Sequence, residues 1–246
     1  MRATVRSAFA AMAVLLCQLG APRAEVAPKP AARTDGPVIT PESINRALLK
    51  QGIDAVKAGH PADAIVIFEK IDAYYSGTSS SGQKPYCSHS APESLIYLTK
   101  SAAEHVSSRI VPSVWCDAIY FKAYSLIELN RMEEASAALD HALELAPDNP
   151  QYLNEKGELL TRARRWNEAK TVFNQAEKDH VYSSSPADGV ALASRACRGL
   201  GFVLTEEKKL DEAEANYHRC LGLDANDEKS KNELRYIQQL RQKILK

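Results

Sequence analysis

The stretch that decides the fold is Asn130–Asn149, NRMEEASAALDHALELAPDN. Ala135, Leu139 and Ala142 recur in it at the spacing of one helix face, and Pro147 ends the run. Read outward from here, the same pattern returns along the chain. The small residues Gly52, Ala123, Gly157 and Gly201 stand 71, 34 and 44 residues apart. Ala64, Ala135, Ala169 and Ala213 keep those separations, as do Phe68, Leu139, Phe173 and Tyr217, and a last column holds Ile71, Ala142, Ala176 and Cys220. Each unit is thus a small residue, an alanine 12 later, a bulky apolar residue 16 later and usually a small one 19 later. Two antiparallel helices explain this spacing. The small residue and the alanine let the backbones approach, and the bulky residue one turn on fills the groove beside them. One such hairpin cannot bury both of its faces, so neighbours must stack.

These residues resemble the tetratricopeptide repeat. The clearest unit is 116–149, and 150–183 follows at the family's 34-residue period with Gly157, Leu160, Trp166, Ala169, Phe173 and Ala176 in place. A third runs over 194–227 through Gly201, Leu204, Leu210, Ala213 and Tyr217, with Ala225 where the family has its closing proline. A weaker unit covers 45–78 through Gly52, Gly59, Ala64 and Phe68. The resemblance implies an all-α, helical-hairpin solenoid spanning 42–246, and the motif residues behind it are structural and specify no chemistry.

Two insertions interrupt the period, 79–115 and 184–193. The first begins as a Ser/Gly-rich loop and is expected to hold one helix, from Pro92 to about Ser108. In the second, Ser185, Pro186 and Asp188 read as a cap and first turn that extend the next helix backward. The tail 228–246, with Leu234, Ile237, Leu240 and Ile244 on one side, reads as a C-terminal capping helix that closes the exposed apolar end.

The chain's 246 residues are 45% hydrophobic and 25% charged, and its 31 basic residues equal its 31 acidic ones. No general basic field exists to hold nucleic acid or an anionic membrane. Arg2 and Arg6, the apolar run Ala8–Leu19 and small residues at Ala21 and Ala24 read as a secretory signal peptide over 1–24, too short for a spanning helix. Its removal takes Arg2, Arg6 and Arg23 from the 31 basic residues and no acid, leaving a net charge of −3. Residues 25–41, with Pro28, Pro30, Pro37 and Pro41, read as a proline-rich linker. The expected product is periplasmic or secreted, with no membrane span.

Export bears on the four cysteines that remain, Cys87, Cys116, Cys197 and Cys220. Spacing alone allows three pairings. Hairpin geometry chooses among them, because residues that meet across an antiparallel pair have a nearly constant sum of numbers. Gly201 with Tyr217 and Leu204 with Ala213 give sums of 418 and 417, and Cys197 with Cys220 also gives 417. Cys87 is then left for Cys116, pinning the insertion to the central repeat.

Nothing in the sequence supplies a nucleophile, base and orienter set, a phosphate loop or paired metal ligands. Cys87-Ser88-His89 is the nearest approach to a metal motif, and it reads more simply as a disulfide cysteine beside a solvated histidine. The expectation is a protein without enzymatic activity or cofactor. By resemblance, the first helix of each repeat lines a concave groove that binds a protein or extended peptide. Its outward positions are Arg46, Leu49, Ile53 and Lys57; Asp117, Tyr120, Tyr124 and Glu128; Gln151, Asn154, Glu158 and Arg162; and Arg195, Arg198, Phe202 and Glu206. The partner-binding candidates are Leu49, Ile53, Tyr120, Tyr124, Asn154, Glu158, Arg195, Arg198 and Phe202, with tyrosine and arginine as the usual interface anchors. Tyr120 and Tyr124 could instead pack on the inserted helix. The main reading is an exported scaffold or adaptor. The alternative is a neutralising, immunity-type protein that blocks an exported toxin or enzyme.

Overall fold

The computed structural model describes residues 40–78 and 82–244. The signal peptide 1–24 and all but the end of the linker 25–41 lie outside the described residues. Helix α1, Pro41–Lys57, begins inside the expected linker, because Thr40 caps it reciprocally with Ser43 and Pro41 occupies its first turn. It pairs with α2, Pro61–Thr78. The insertion follows as a strand, a helix and a strand: β1 Lys84–Ser88, α3 Ala91–Ala103 and β2 Ser108–Pro112. Three further hairpins come next: α4 Ser113–Glu128 with α5 Met132–Leu145, α6 Pro150–Arg162 with α7 Trp166–Asp179, and α8 Pro186–Glu206 with α9 Leu210–Leu223. A 3-10 turn, His180–Tyr182, joins α7 to α8, and α10, Glu228–Ile244, closes the array.

The repeat columns are the core. Ala64, Ala135, Ala169 and Ala213 are all fully buried, and so are Ile71, Ala142, Ala176 and Cys220. At the small-residue column the contact is explicit. A Cβ on Gly52 would lie 2.3 Å from the Phe68 ring, one on Gly157 2.6 Å from Phe173, and one on Gly201 2.6 Å from Tyr217. The hairpin with alanine at this position, Ala123, carries the smaller Leu139 in the bulky column, both fully buried, which matches a larger residue in one column with a smaller one in the other.

Each hairpin turns in the same way. Gly59, Asn130, Arg164 and Lys208 all lie seven residues after the small residue, and all take positive φ, between 56° and 80°. The next residue's N–H then donates five residues back: His60 to Ala55, Arg131 to Leu126, Arg165 to Leu160 and Lys209 to Leu204. This left-handed cap satisfies the carbonyls at the helix end and reverses the chain. Glycine and asparagine tolerate that backbone; arginine and lysine do so at a cost.

The insertion differs from its expected form. Its helix ends at Ala103 rather than near Ser108, and residues 84–88 and 108–112 pair as a parallel two-stranded sheet, Lys84 opposite Ser108 through Ser88 opposite Pro112. Parallel strands need a crossover, and α3 supplies it. Sulfur atoms of Cys87 and Cys116 lie at bonding distance with Cα atoms 6.2 Å apart, tying β1 to α4. Those of Cys197 and Cys220 do the same across α8 and α9, at 5.6 Å. Ser185 caps α8 through the Asp188 N–H. On α10, Ile237 is fully buried with Leu234 packed beside it.

Lys208 tests the shared turn: Lys208→Gly should raise the unfolding free energy by about 0.5–1 kcal/mol, because left-handed strain relieved in the folded chain outweighs the extra freedom of glycine when unfolded. A thermal melt reads this as a rise in Tm, and a fall would mean the turn is relaxed with lysine in place.

Candidate functional site

Helices α1, α4, α6 and α8, the first of each hairpin, carry three successive hollows. One of about 300 Å3 lies between α1 and α4, with Ile53 and Tyr124 in its wall. The next, about 200 Å3, shares Tyr124 with it and adds Glu155, Glu158 and Arg195. The third, about 530 Å3, shares Arg162 and Arg195 with the second and is bounded by Phe202 on α8 and Lys229 on α10. The floor is the position one residue after the small column, occupied by Ile53, Tyr124, Glu158 and Phe202. Large side chains stay uncovered on it: Tyr124 is 39% exposed and Phe202 44%. Leu49 and Ile53 are half-buried.

Two candidates do not face solvent. Tyr120 is buried, its ring stacked on Tyr152 with centroids 5.1 Å apart, and its hydroxyl donates to Glu155 Oε1 at 3.2 Å. Its packing is against α6 and its neighbour Phe121, not against α3. Asn154 is fully buried and donates to the Leu192 carbonyl at 3.1 Å, joining α6 to α8. Both residues sit on the expected helix face, but adjacent first helices come close enough there to cover them.

Arg195 organises the charges. Its Nε donates to Glu158 Oε1 at 2.9 Å and its Nη2 to Glu155 Oε1 at 2.7 Å. Burial works against the guanidinium charge, but Glu155 and Glu158 outweigh it and raise the pKa above the ordinary arginine value. Arg198 pairs with the buried Asp227 at 2.9 Å and so holds α8 to the start of α10. With Tyr120, this chain of polar contacts links α4, α6 and α8.

A second polar cluster fastens the insertion to the repeats, and the sequence reading missed it. His89 follows β1, and its Nε2 lies 2.9 Å from Asp117 Oδ1 on α4. Its backbone N–H donates to Glu93 Oε2 at 2.6 Å, Tyr97 Oη donates to Glu93 Oε1 at 2.9 Å, and Tyr152 Oη donates to Asp117 Oδ1 at 3.2 Å. His89 is therefore not a freely solvated side chain; only about a quarter of it, 26%, is exposed. Burial would lower its pKa, but Asp117 and then Glu93 raise it to about 10, so it is an imidazolium at neutral pH. The sequence signal was the pair His89 and Glu93, four apart across a helix cap. Asp117 and Tyr152 arrive from other repeats, so no local pattern reports them. Among the described residues no group of three or more histidines, cysteines or acids is arranged to hold a metal ion.

The family model of the tetratricopeptide repeat matches residues 117–149, the α4–α5 hairpin, whose geometry the other three hairpins repeat. This chain carries a tetratricopeptide repeat at 117–149 within an all-α helical-repeat fold. Among solved structures it is similar to PilF of Pseudomonas aeruginosa, with a TM-score of 0.57 at 19% identity over 83% of this chain and 72% of that one. It is also similar to MamA, residues 41 to the end, from Desulfovibrio magneticus RS-1, with a TM-score of 0.51 at 14% identity over 80% of this chain and 85% of that one. At these identities the likeness is one of fold. No curated protein sequence matches the chain.

The helical array is held to its insertion by an ion cluster whose pH dependence has a definite sign. The folded pKa of His89, about 10, lies above the unfolded value near 6.5. The stabilisation is complete below about pH 6.5 and is lost as the pH rises through 10. Tyr97 and Tyr152, pushed above their usual range by burial and then by Glu93 and Asp117 respectively, remain neutral across this window. Denaturant titrations should show stability falling by on the order of 2 kcal/mol between pH 7 and 10, and His89→Gln should flatten that slope. An unchanged slope in the variant would remove His89 as its source.

Proposed function

We propose that this protein is an exported scaffold or adaptor that binds a protein segment or extended peptide along the floor formed by α1, α4, α6 and α8. The observation that carries the reading is the run of three hollows sharing Tyr124 and Arg195, with Tyr124 and Phe202 uncovered at two places along it. An apolar side chain entering at Ile53 and Tyr124 and another at Phe202 would be anchored by burial, while Glu158, Arg195 and Arg198 offer polar contacts between them. Leu49 completes the N-terminal wall. Tyr120 and Asn154 act as supports beneath this surface. Export rests on the basic start, apolar run and small residues of 1–24, and the two cysteine pairs at bonding distance are compatible with an oxidising compartment. No helix among the described residues is long and apolar enough to cross a membrane.

The experiment is a pull-down with crosslinking from the native envelope fraction, with N-terminal sequencing of the bait and comparison of two variants. Tyr124→Ala should weaken partner binding about 30-fold, near 2 kcal/mol, and leave the melting temperature almost unchanged. Tyr120→Ala should instead lower stability by about 3 kcal/mol. Full binding by the Tyr124 variant would place the partner elsewhere, and an intact Met1 on cytosolic protein would contradict export.

A further inference from the structure

Three segments from separate parts of the chain converge beside the insertion. Lys100 reaches from α3 to Asp148, in the loop before α6, with its Nζ 2.5 Å from Oδ2. Asp179, the last residue of α7, faces the same point, and its carboxylate and that of Asp148 both act on Lys100. Tyr97, one turn before Lys100 on α3, accepts from the Asp148 backbone N–H at 3.3 Å. Ser90 Oγ, at the head of α3, donates to the Tyr182 carbonyl at 3.0 Å in the turn after α7. The C-terminal half of α3 thus meets the repeats through one cation and two carboxylates, with neutral hydrogen bonds around them.

The two carboxylates are not equally served. Asp148 and Asp179 are each only 5% exposed, and the half-exposed Lys100 is bonded to Asp148. Asp179 Oδ2 is buried and, among the described residues, has no hydrogen-bond partner. On its own helix Gln175 donates to the Asp179 carboxylate and Lys178 lies on the exposed side, while the His180 ring turns to the Glu177 carbonyl. A buried carboxylate without its full set of partners is costly compared with a hydrated one. Burial therefore raises the pKa of Asp179 above the ordinary aspartate value of 3.8, and the charge of Asp148 adds to the rise, against the opposing pull of Gln175, Lys100 and Lys178. Lys100 stays charged throughout: burial works against its ammonium, but Asp148 and then Asp179 outweigh it.

We propose that Lys100, Asp148 and Asp179 form an acid-responsive latch: as the pH falls, Asp179 takes up a proton from solvent, one carboxylate is left for one lysine, and the insertion is held more tightly against the repeats. When α3 lifts away, Asp179 regains water, so its ionised form favours the open junction and its protonated form the closed one. An aspartate whose folded pKa exceeds its unfolded value weakens the closed state above that folded pKa, and the loss is recovered as the pH falls through it towards 3.8. This range is acidic and separate from the alkaline one in which His89 loses its charge. The latch requires neither export nor the groove floor, and either can fail without it.

The test is an NMR pH titration of the full 13C,15N-labelled chain that reads the Asp179 carboxyl shift together with the exchange protection of the α3 amides. Asp179 should titrate above the ordinary aspartate value, and α3 protection should rise as it does so. Asp179→Asn, neutral at every pH, should raise α3 protection about fivefold or more at neutral pH and abolish the acid-dependent gain. Lys100→Met, which keeps the stem and removes the charge, should move the Asp179 titration to higher pH, an effect that a packing role for Lys100 would not produce. An Asp179 that titrates at or below the ordinary value, a titration unmoved by Lys100→Met, or an acid-dependent gain that persists in the Asp179→Asn chain would overturn the proposal.

Discussion

Three times along the chain a helix backbone comes within van der Waals reach of a bulky side chain on the next helix, and the array depends on that contact. In three hairpins the approach leaves no room for a Cβ: the ring of Phe68, Phe173 or Tyr217 occupies the place where it would stand on Gly52, Gly157 or Gly201. Glycine within a helix ordinarily costs about 1 kcal/mol relative to alanine, so a recurrent glycine there signals that the space is already filled. The remaining hairpin carries Ala123 and Leu139 in these two columns, both fully buried. Close pairing of each hairpin sets the stacking of the next, and the first helices thereby come to lie side by side. Phe173 makes the link visible, since it fills the space beside Gly157 in its own hairpin and beside Gly199 in the following one.

Much of this was legible because helical periodicity is a local property of the chain. The column spacings run through all four hairpins, Ser185 with Pro186 and Asp188 marks the cap of α8, and the apolar side of 228–246 marks the last helix. The turns were partly legible: Gly59 and Asn130 are residues that accept a left-handed backbone, whereas Arg164 and Lys208 give no such sign and are held there by the hairpin around them. The strands escaped notice for a physical reason. KPYCS and SRIVP are five residues each, carry a proline near one end and pair with one another across a whole helix, so neither shows enough alternation to announce itself.

The groove was legible as a helix face but not as a surface. Period identifies which side of a helix points inward along the array; it does not say how far a neighbouring helix will cover it. Tyr120 and Asn154 were on the right face and are buried by α6 and α8, while Tyr124 and Phe202, one turn further along, remain uncovered. His89 was underread for the converse reason. Its partners Asp117, Glu93 and Tyr152 come from three separate helices, and a charge cluster assembled by tertiary structure leaves no spacing to find. That cluster fixes the insertion against the N-terminal parts of α4 and α6.

The central claim, that a small residue against a bulky ring governs each hairpin, is tested most directly by a double-mutant cycle at Gly52 and Phe68. Gly52→Ala, which helix propensity alone would make stabilising, should cost about 2 kcal/mol through overpacking. Adding Phe68→Leu, which recreates the Ala123–Leu139 combination, should recover at least about 1 kcal/mol of what the two single changes cost separately. If Gly52→Ala stabilises the protein, or if the two changes add within about 0.5 kcal/mol, the contact does not govern the hairpin.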